Sequence, residues 1–147
     1  MRAHGRLLGL DLGQRRIGVA VTDSDRRLAT GVGVIERAGD PAADLAAVAA
    51  LVAQYEAVGV VVGVPYSLSG GTGPAALAAL EEVERLRAAL DVEVSTVDER
   101  LTTVSAAGAL RSSGRRGRAA RSVIDQTAAA LLLQTWIDRQ AHQEARP

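Results

Sequence analysis

Leu7-Leu8-Gly9-Leu10-Asp11-Leu12-Gly13-Gln14-Arg15-Arg16-Ile17-Gly18-Val19-Ala20-Val21 is the stretch on which the fold turns. Leu7 to Leu12 is an apolar run broken by a single carboxylate, and Ile17 to Val21 is a second run rich in branched residues. Gly13 to Arg16 has the composition of a turn, so two antiparallel strands are predicted. The neighbours of Asp11 are apolar, which predicts a strand buried on both faces. A carboxylate there costs several kcal/mol unless it is paired, hydrogen-bonded or bound to a cation. Arg15, Arg16 or the turn backbone could pair with it; a hard cation such as Mg²⁺ could bind it instead. Gly9, Gly13 and Gly18 would let a phosphate or another backbone come close.

Outward from this hairpin, Leu28 to Ile35 is a third strand candidate. Asp40-Pro41 starts a helix, with Asp as cap and Pro at the first helical position. Leu45, Val48, Leu51, Val52 and Tyr55 follow at helical spacing. Gly59 to Gly63 predicts a buried strand, and Ser67 to Gly73 a loop. Pro74 to Leu90 predicts a second helix with Leu77, Leu80, Val83, Leu86 and Leu90 near one face, and Val92 to Val97 a further strand. Helices are expected from about Leu101 to Leu110 and from near Arg121 to about Arg139, around a loop at Ser112 to Arg118. The order β-β-β-α-β-α-β-α-α predicts an α/β fold: a mixed five-stranded sheet, three antiparallel strands then α/β units, flanked by helices. No repeat or linker interrupts it. Residues 1–147 are expected to form one domain, with a core over about 6–139 and a frayed tail from Gln140.

Hydrophobic residues make up 48% of the chain but aromatics only 2%, so the core must be built from Ala, Val, Leu and Ile. With no cysteine, disulfides, thiolate zinc sites and cysteine nucleophiles are excluded. No apolar run approaches the roughly 20 residues that span a bilayer. Met1 to Gly9 shows no signal-peptide pattern, so a cytoplasmic location and no membrane partner are expected. Net charge is zero, yet its distribution is uneven: between Thr102 and Ile124 stand Arg111, Arg115, Arg116, Arg118 and Arg121 with no acid. Such a segment is either a solvated loop or a phosphate-gripping surface, for which the guanidinium fork is suited.

Two further acidic sites accompany Asp11. Asp98-Glu99 ends the last predicted strand; with a period of two they point to opposite faces, so only one can share a face with Asp11. Asp98 could equally cap the helix that follows, with Glu99 in its first turn. Asp125 precedes Ala128, Ala129, Leu132 and Trp136 on a helical stripe facing the core, where it is either a ligand or a cap. One acidic cluster in a cysteine-free chain fits Mg²⁺ or Mn²⁺. Two such ions activate a water and steady the leaving oxygen in phosphodiester hydrolysis. They also reverse the local charge that would otherwise repel nucleic acid.

Four segments carry a resemblance. Gly9 to Ala20, Val61-Val62-Gly63-Val64-Pro65 with Gly70, Val97-Asp98-Glu99-Arg100-Leu101-Thr102-Thr103, and Val123 to Ala129 with Leu132 and Trp136 resemble, in order, the motifs of the YqgF/RuvX family. The resemblance runs from Arg6 to about Asp138. It implies a ribonuclease H-like fold and a metal-dependent nuclease. Its catalytic acids would be Asp11, Asp98 or Glu99, and Asp125; Asp11, Glu99 and Asp125 would hold Mg²⁺ or Mn²⁺, as two ions. Arg15, Arg16, Arg100, Arg111, Arg115, Arg116, Arg118 and Arg121 would contact nucleic acid. Val64 stands where the family usually has Leu, the basic loop is Arg-only, and Asp23 is expected to be a turn residue rather than a ligand.

The implied substrate is the small-subunit ribosomal RNA precursor. A branched DNA junction is the alternative within the class, and its two-fold symmetry would favour a homodimer. A non-catalytic assembly factor that binds nucleic acid is the alternative of another class; burying carboxylates gains such a binder nothing. A nucleotide-binding half of an actin-like or sugar-kinase ATPase would need a second such domain.

Overall fold

A computed structural model of the chain describes residues 4–101 and 117–144. Strands β1 (Leu7–Leu12), β2 (Arg16–Thr22), β3 (Ala29–Glu36), β4 (Gly59–Val64) and β5 (Glu93–Asp98) form one sheet in the order β3-β2-β1-β4-β5. β1 pairs antiparallel with β2, and β2 with β3; β4 lies parallel to β1, and β5 to β4. The predicted mixed sheet is therefore observed, with β1 at its centre. Leu7, Leu8 and Leu10 are fully buried, as a central strand covered on both faces requires.

Helices α1 (Pro41–Tyr55) and α2 (Pro74–Ala89) connect β3 to β4 and β4 to β5. The Asp40 carboxylate accepts a hydrogen bond from the Ala42 N–H at 3.1 Å, the expected cap ahead of Pro41. These helices cover one sheet face, where Leu8, Leu10, Ile17, Val19, Val60 and Val62 pack with Val48, Val83 and Leu86. Helix α3 (Arg118–Glu144) covers the other face, where Leu7, Ala20, Val61 and Val97 pack with Ala128, Ala129, Leu132, Leu133 and Ile137. It crosses β1, β2 and β3 closely because the strands present Gly9 and Gly31 beneath it. A Cβ on Gly9 would meet Leu133 Cβ at 2.8 Å, and one on Gly31 would meet Gln126 Cβ at 2.8 Å.

Three expectations need correction. The buried stripe of α2 is Ala76, Ala79, Val83 and Leu86, while Leu77 is 51% exposed. The small alanines, rather than the leucines, meet the sheet at the helix start. Helix α3 begins at Arg118 rather than near Arg121, so Arg118 belongs to the helix and not to the loop. It also continues through Glu144, past the expected end at Arg139, because no Gly or Pro interrupts Gln140 to Glu144. Apart from Leu101, the helix expected at Leu101 to Leu110 and most of the Ser112 to Arg118 loop lie outside the described residues. Before them the chain makes a short 3₁₀ turn, Glu99–Leu101. Among the described residues no helix is long and apolar enough to cross a membrane.

Candidate active site

Strands β1, β4 and β5 run parallel, so their carboxyl ends lie at one edge of the sheet, the usual place for a site in an open α/β sheet. Asp11 is the penultimate residue of β1 and is only 5% exposed. It pairs with Gly18 of β2. In β4 its neighbour is Gly63, one step beyond the Leu10–Val62 pair. The order across the sheet is thus Gly18, Asp11, Gly63.

Each glycine gap is filled by a segment carrying an acid. A Cβ on Gly18 would run into the backbone carbonyl of Asp125, so α3 sits directly on β2 at this point. A Cβ on Gly63 would lie 2.9 Å from Glu99 Oε1 and 2.9 Å from Leu132 Cδ2. Paired residues of an antiparallel ladder share a face, so Asp11 points to the α3 side with both gaps. Asp11, Glu99 and Asp125 therefore meet on one face, although β1, the turn after β5 and α3 are far apart in sequence.

Asp98 takes the other course. Its carboxylate accepts hydrogen bonds from the Arg100 side chain and, at 2.9 Å, from the Arg100 backbone N–H. The Arg100 guanidinium beside it holds its carboxyl below the usual range, helped by that N–H. Arg100 also donates to the Ser67 carbonyl at 3.3 Å and lies 5.7 Å from the centre of the Tyr66 ring. Asp98 is thus the cap of the 3₁₀ turn and the anchor of a strut to the 65–73 loop, while Glu99 is the acid on the Asp11 face.

Asp125 is 4% exposed and accepts a hydrogen bond from Arg16 Nε at 2.8 Å. Among the described residues no three acidic or imidazole side chains form a ready-made ion cage. The expected metal set thus shares one face without closing around an ion. By chemistry it suits a hard cation: three carboxylates, no thiol in the chain, and two side-chain-free gaps beside Asp11.

Of the arginines expected to contact nucleic acid, Arg15 is exposed, and Arg121 is half-buried one helical turn before Asp125. Arg16 and Arg100 are engaged with carboxylates. Arg111, Arg115 and Arg116 lie outside the described residues, as does the side chain of Arg118. Asp23 accepts N–H bonds from Arg27 at 2.9 Å and Leu28 at 3.1 Å, as a turn residue should.

Sequence reasoning missed Arg37. Its guanidinium donates to the Gly13 carbonyl at 2.7 Å, to Asp44 at 3.1 Å and to Glu82 at 2.9 Å. Its backbone N–H donates to the Arg15 carbonyl at 2.9 Å. Arg37 therefore fixes the turn between Asp11 and Arg16 from the α1 and α2 side. An Arg just past a predicted strand, with an Asp in the following helix, was the only signal for it.

Comparison with known proteins agrees with this architecture. The family model described as RuvX: Holliday junction resolvase matches residues 5–139. A Nocardia farcinica protein named "Putative pre-16S rRNA nuclease" is 51% identical over 93% of this chain and 79% of its own length. A Rhodococcus opacus protein of the same name is 48% identical over 93% and 79%. Among solved structures, T. thermophilus RuvC in complex with a Holliday junction substrate matches with a TM-score of 0.51. It covers 94% of this chain and 96% of its own, at 17% identity, a likeness of fold. The fold is ribonuclease H-like.

Proposed function

The chain belongs to the RuvX family, and from that premise we propose that it is a divalent-metal-dependent nuclease acting on the small-subunit ribosomal RNA precursor. The observation that carries this is the convergence of Asp11, Glu99 and Asp125 on one sheet face, through gaps that glycines leave at positions 18 and 63. A chain that only bound nucleic acid would have no use for buried acids at a substrate edge, since they repel phosphate. The substrate follows from the names of relatives 48–51% identical to the chain.

Asp11, Glu99 and Asp125 would hold Mg²⁺ or Mn²⁺, as one or two ions. When bound, the metal supplies a nucleophilic water and charge stabilisation for phosphodiester hydrolysis. Asp11, buried in the central strand, would fix the position of the site. Glu99 approaches from the turn after β5, and Asp125 from a helix braced against β2. Arg15 and Arg121, beside the acids, together with the arginines at 111–118, would hold the phosphate backbone. The same chemistry would serve a branched DNA, where a homodimer would match a two-fold junction. A ribosomal precursor substrate implies a cytoplasmic location.

The test is cleavage of end-labelled precursor ribosomal RNA, single-stranded RNA and a four-way DNA junction, each with Mg²⁺, Mn²⁺ or EDTA. Metal-dependent cuts preferring the precursor are expected. Preference for the junction would reassign the substrate to DNA, and binding without any cleavage would make the protein an assembly factor.

A further inference from the structure

Arg16, the first residue of β2, spends its charge on Asp125, the acid that α3 brings to the site. The Nε–Oδ2 distance is 2.8 Å, and the two side chains are 17% and 5% exposed. The guanidinium takes one of the two carboxylate oxygens, and its positive charge beside that carboxylate weakens the pull of the acid on a divalent cation. The three acids also form no ready-made cage among the described residues, although their elements meet.

Building on the nuclease function above, we propose that Arg16 is a displaceable counter-ion of the metal site. It neutralises Asp125 in the metal-free protein, and a divalent cation competes with it for that carboxylate. The pair offsets part of the cost of burying the Asp125 carboxylate, at the cost of weaker metal binding. Arg16 is the residue placed for this role: it opens the strand that carries Gly18, on which Asp125 rests. Arg37 steadies the turn just before Arg16 through the Gly13 and Arg15 carbonyls.

The test measures Mn²⁺ binding to the full chain without nucleic acid. Free Mn²⁺ is followed by electron paramagnetic resonance and Tm is followed against Mn²⁺, for wild type, Arg16→Gln, Arg16→Lys and Arg85→Gln. Arg85 is exposed on the α2 side, so its variant controls for the loss of one positive charge. Arg16→Gln should bind Mn²⁺ about tenfold more tightly than wild type, the effect of removing one charge-assisted competitor. Its Tm should be lower without metal and rise more steeply as Mn²⁺ is added. Arg16→Lys, which keeps the charge but not the fork, should fall between them, and Arg85→Gln should match wild type. Equal or weaker Mn²⁺ binding in both Arg16 variants would overturn the counter-ion role and leave the nuclease function standing. No Mn²⁺ binding by any of the four proteins would overturn both.

Discussion

The backbone carbonyl of Asp125 occupies the space that a Cβ at position 18 would need, so Gly18 is the seat on which the Asp125 turn of α3 rests. Because Gly18 pairs with Asp11, that seat also sets how near two of the acids stand. Gly18→Ala should therefore lift α3 and cost about 1–3 kcal/mol, the usual range for overpacking. Gly63→Ala should cost less, because its Cβ meets the movable ends of Glu99 and Leu132 rather than backbone. Urea unfolding of both variants checks the order, and cleavage by Gly18→Ala should fall more than its stability alone explains.

Glu99 and Asp98 are adjacent, yet their carboxylates go to different surroundings, Gly63 for one and Arg100 for the other. Glu99→Gln should reduce metal-dependent cleavage by more than about 100-fold, at least the loss seen when outer-shell partners of metal ligands are removed. Asp98→Asn should release Arg100 from its strut to Ser67 and raise KM while sparing much of kcat. Steady-state kinetics on one labelled substrate separate the two, and equal losses in kcat would contradict the assignment.

Most of the architecture was legible in the sequence, and the reasons are local. The apolar run broken by Asp11, the glycine-bounded run Val60 to Val62 and the Asp40-Pro41 start each obey a short-range rule, and each element appears where expected. Near neighbours did not reveal pairings made by the tertiary fold. Arg16 sits five residues from Asp11 in sequence, yet its guanidinium bonds Asp125, 109 residues away. The proximity of Glu99 to Gly63 is not visible in the sequence either, because that glycine belongs to another strand. Leu77 obeyed the helical period but lay on the wrong side, since the alanines beside it pack nearer the sheet. Gln140 to Glu144, mostly polar, reads as a tail, but nothing in it stops a helix and α3 runs on through it.

Arg37 predicts a stability effect far from the acids. Its Asp44 and Glu82 partners are largely buried, with side chains 12% and 23% exposed. Arg37→Met would leave them uncompensated and should cost about 2–4 kcal/mol, below the full cost of breaking a buried pair because all three groups touch solvent. Chemical denaturation measures it, and the triple change with Asp44→Leu and Glu82→Leu should recover part of the loss.

Asp23 predicts a pH effect. The N–H groups of Leu28 and Arg27 hold its carboxyl below the ordinary 3.8. A depressed folded-state pKa means the stabilisation is present above 3.8 and is lost as pH falls through the lower folded value. The advantage of wild type over Asp23→Asn should be constant near neutrality and shrink in that acid window. Denaturation midpoints taken across it check the sign, and an advantage that grows on acidification would contradict it.

The most direct test of the account is metal-dependent cleavage of precursor ribosomal RNA by wild type, Asp11→Asn and Asp125→Asn, with folding verified for each. The account predicts cuts by wild type in Mg²⁺ or Mn²⁺, none in EDTA, and loss of cleavage with retained RNA binding in both variants. Cleavage that persists in either variant, or in EDTA, would contradict a metal site built on these acids.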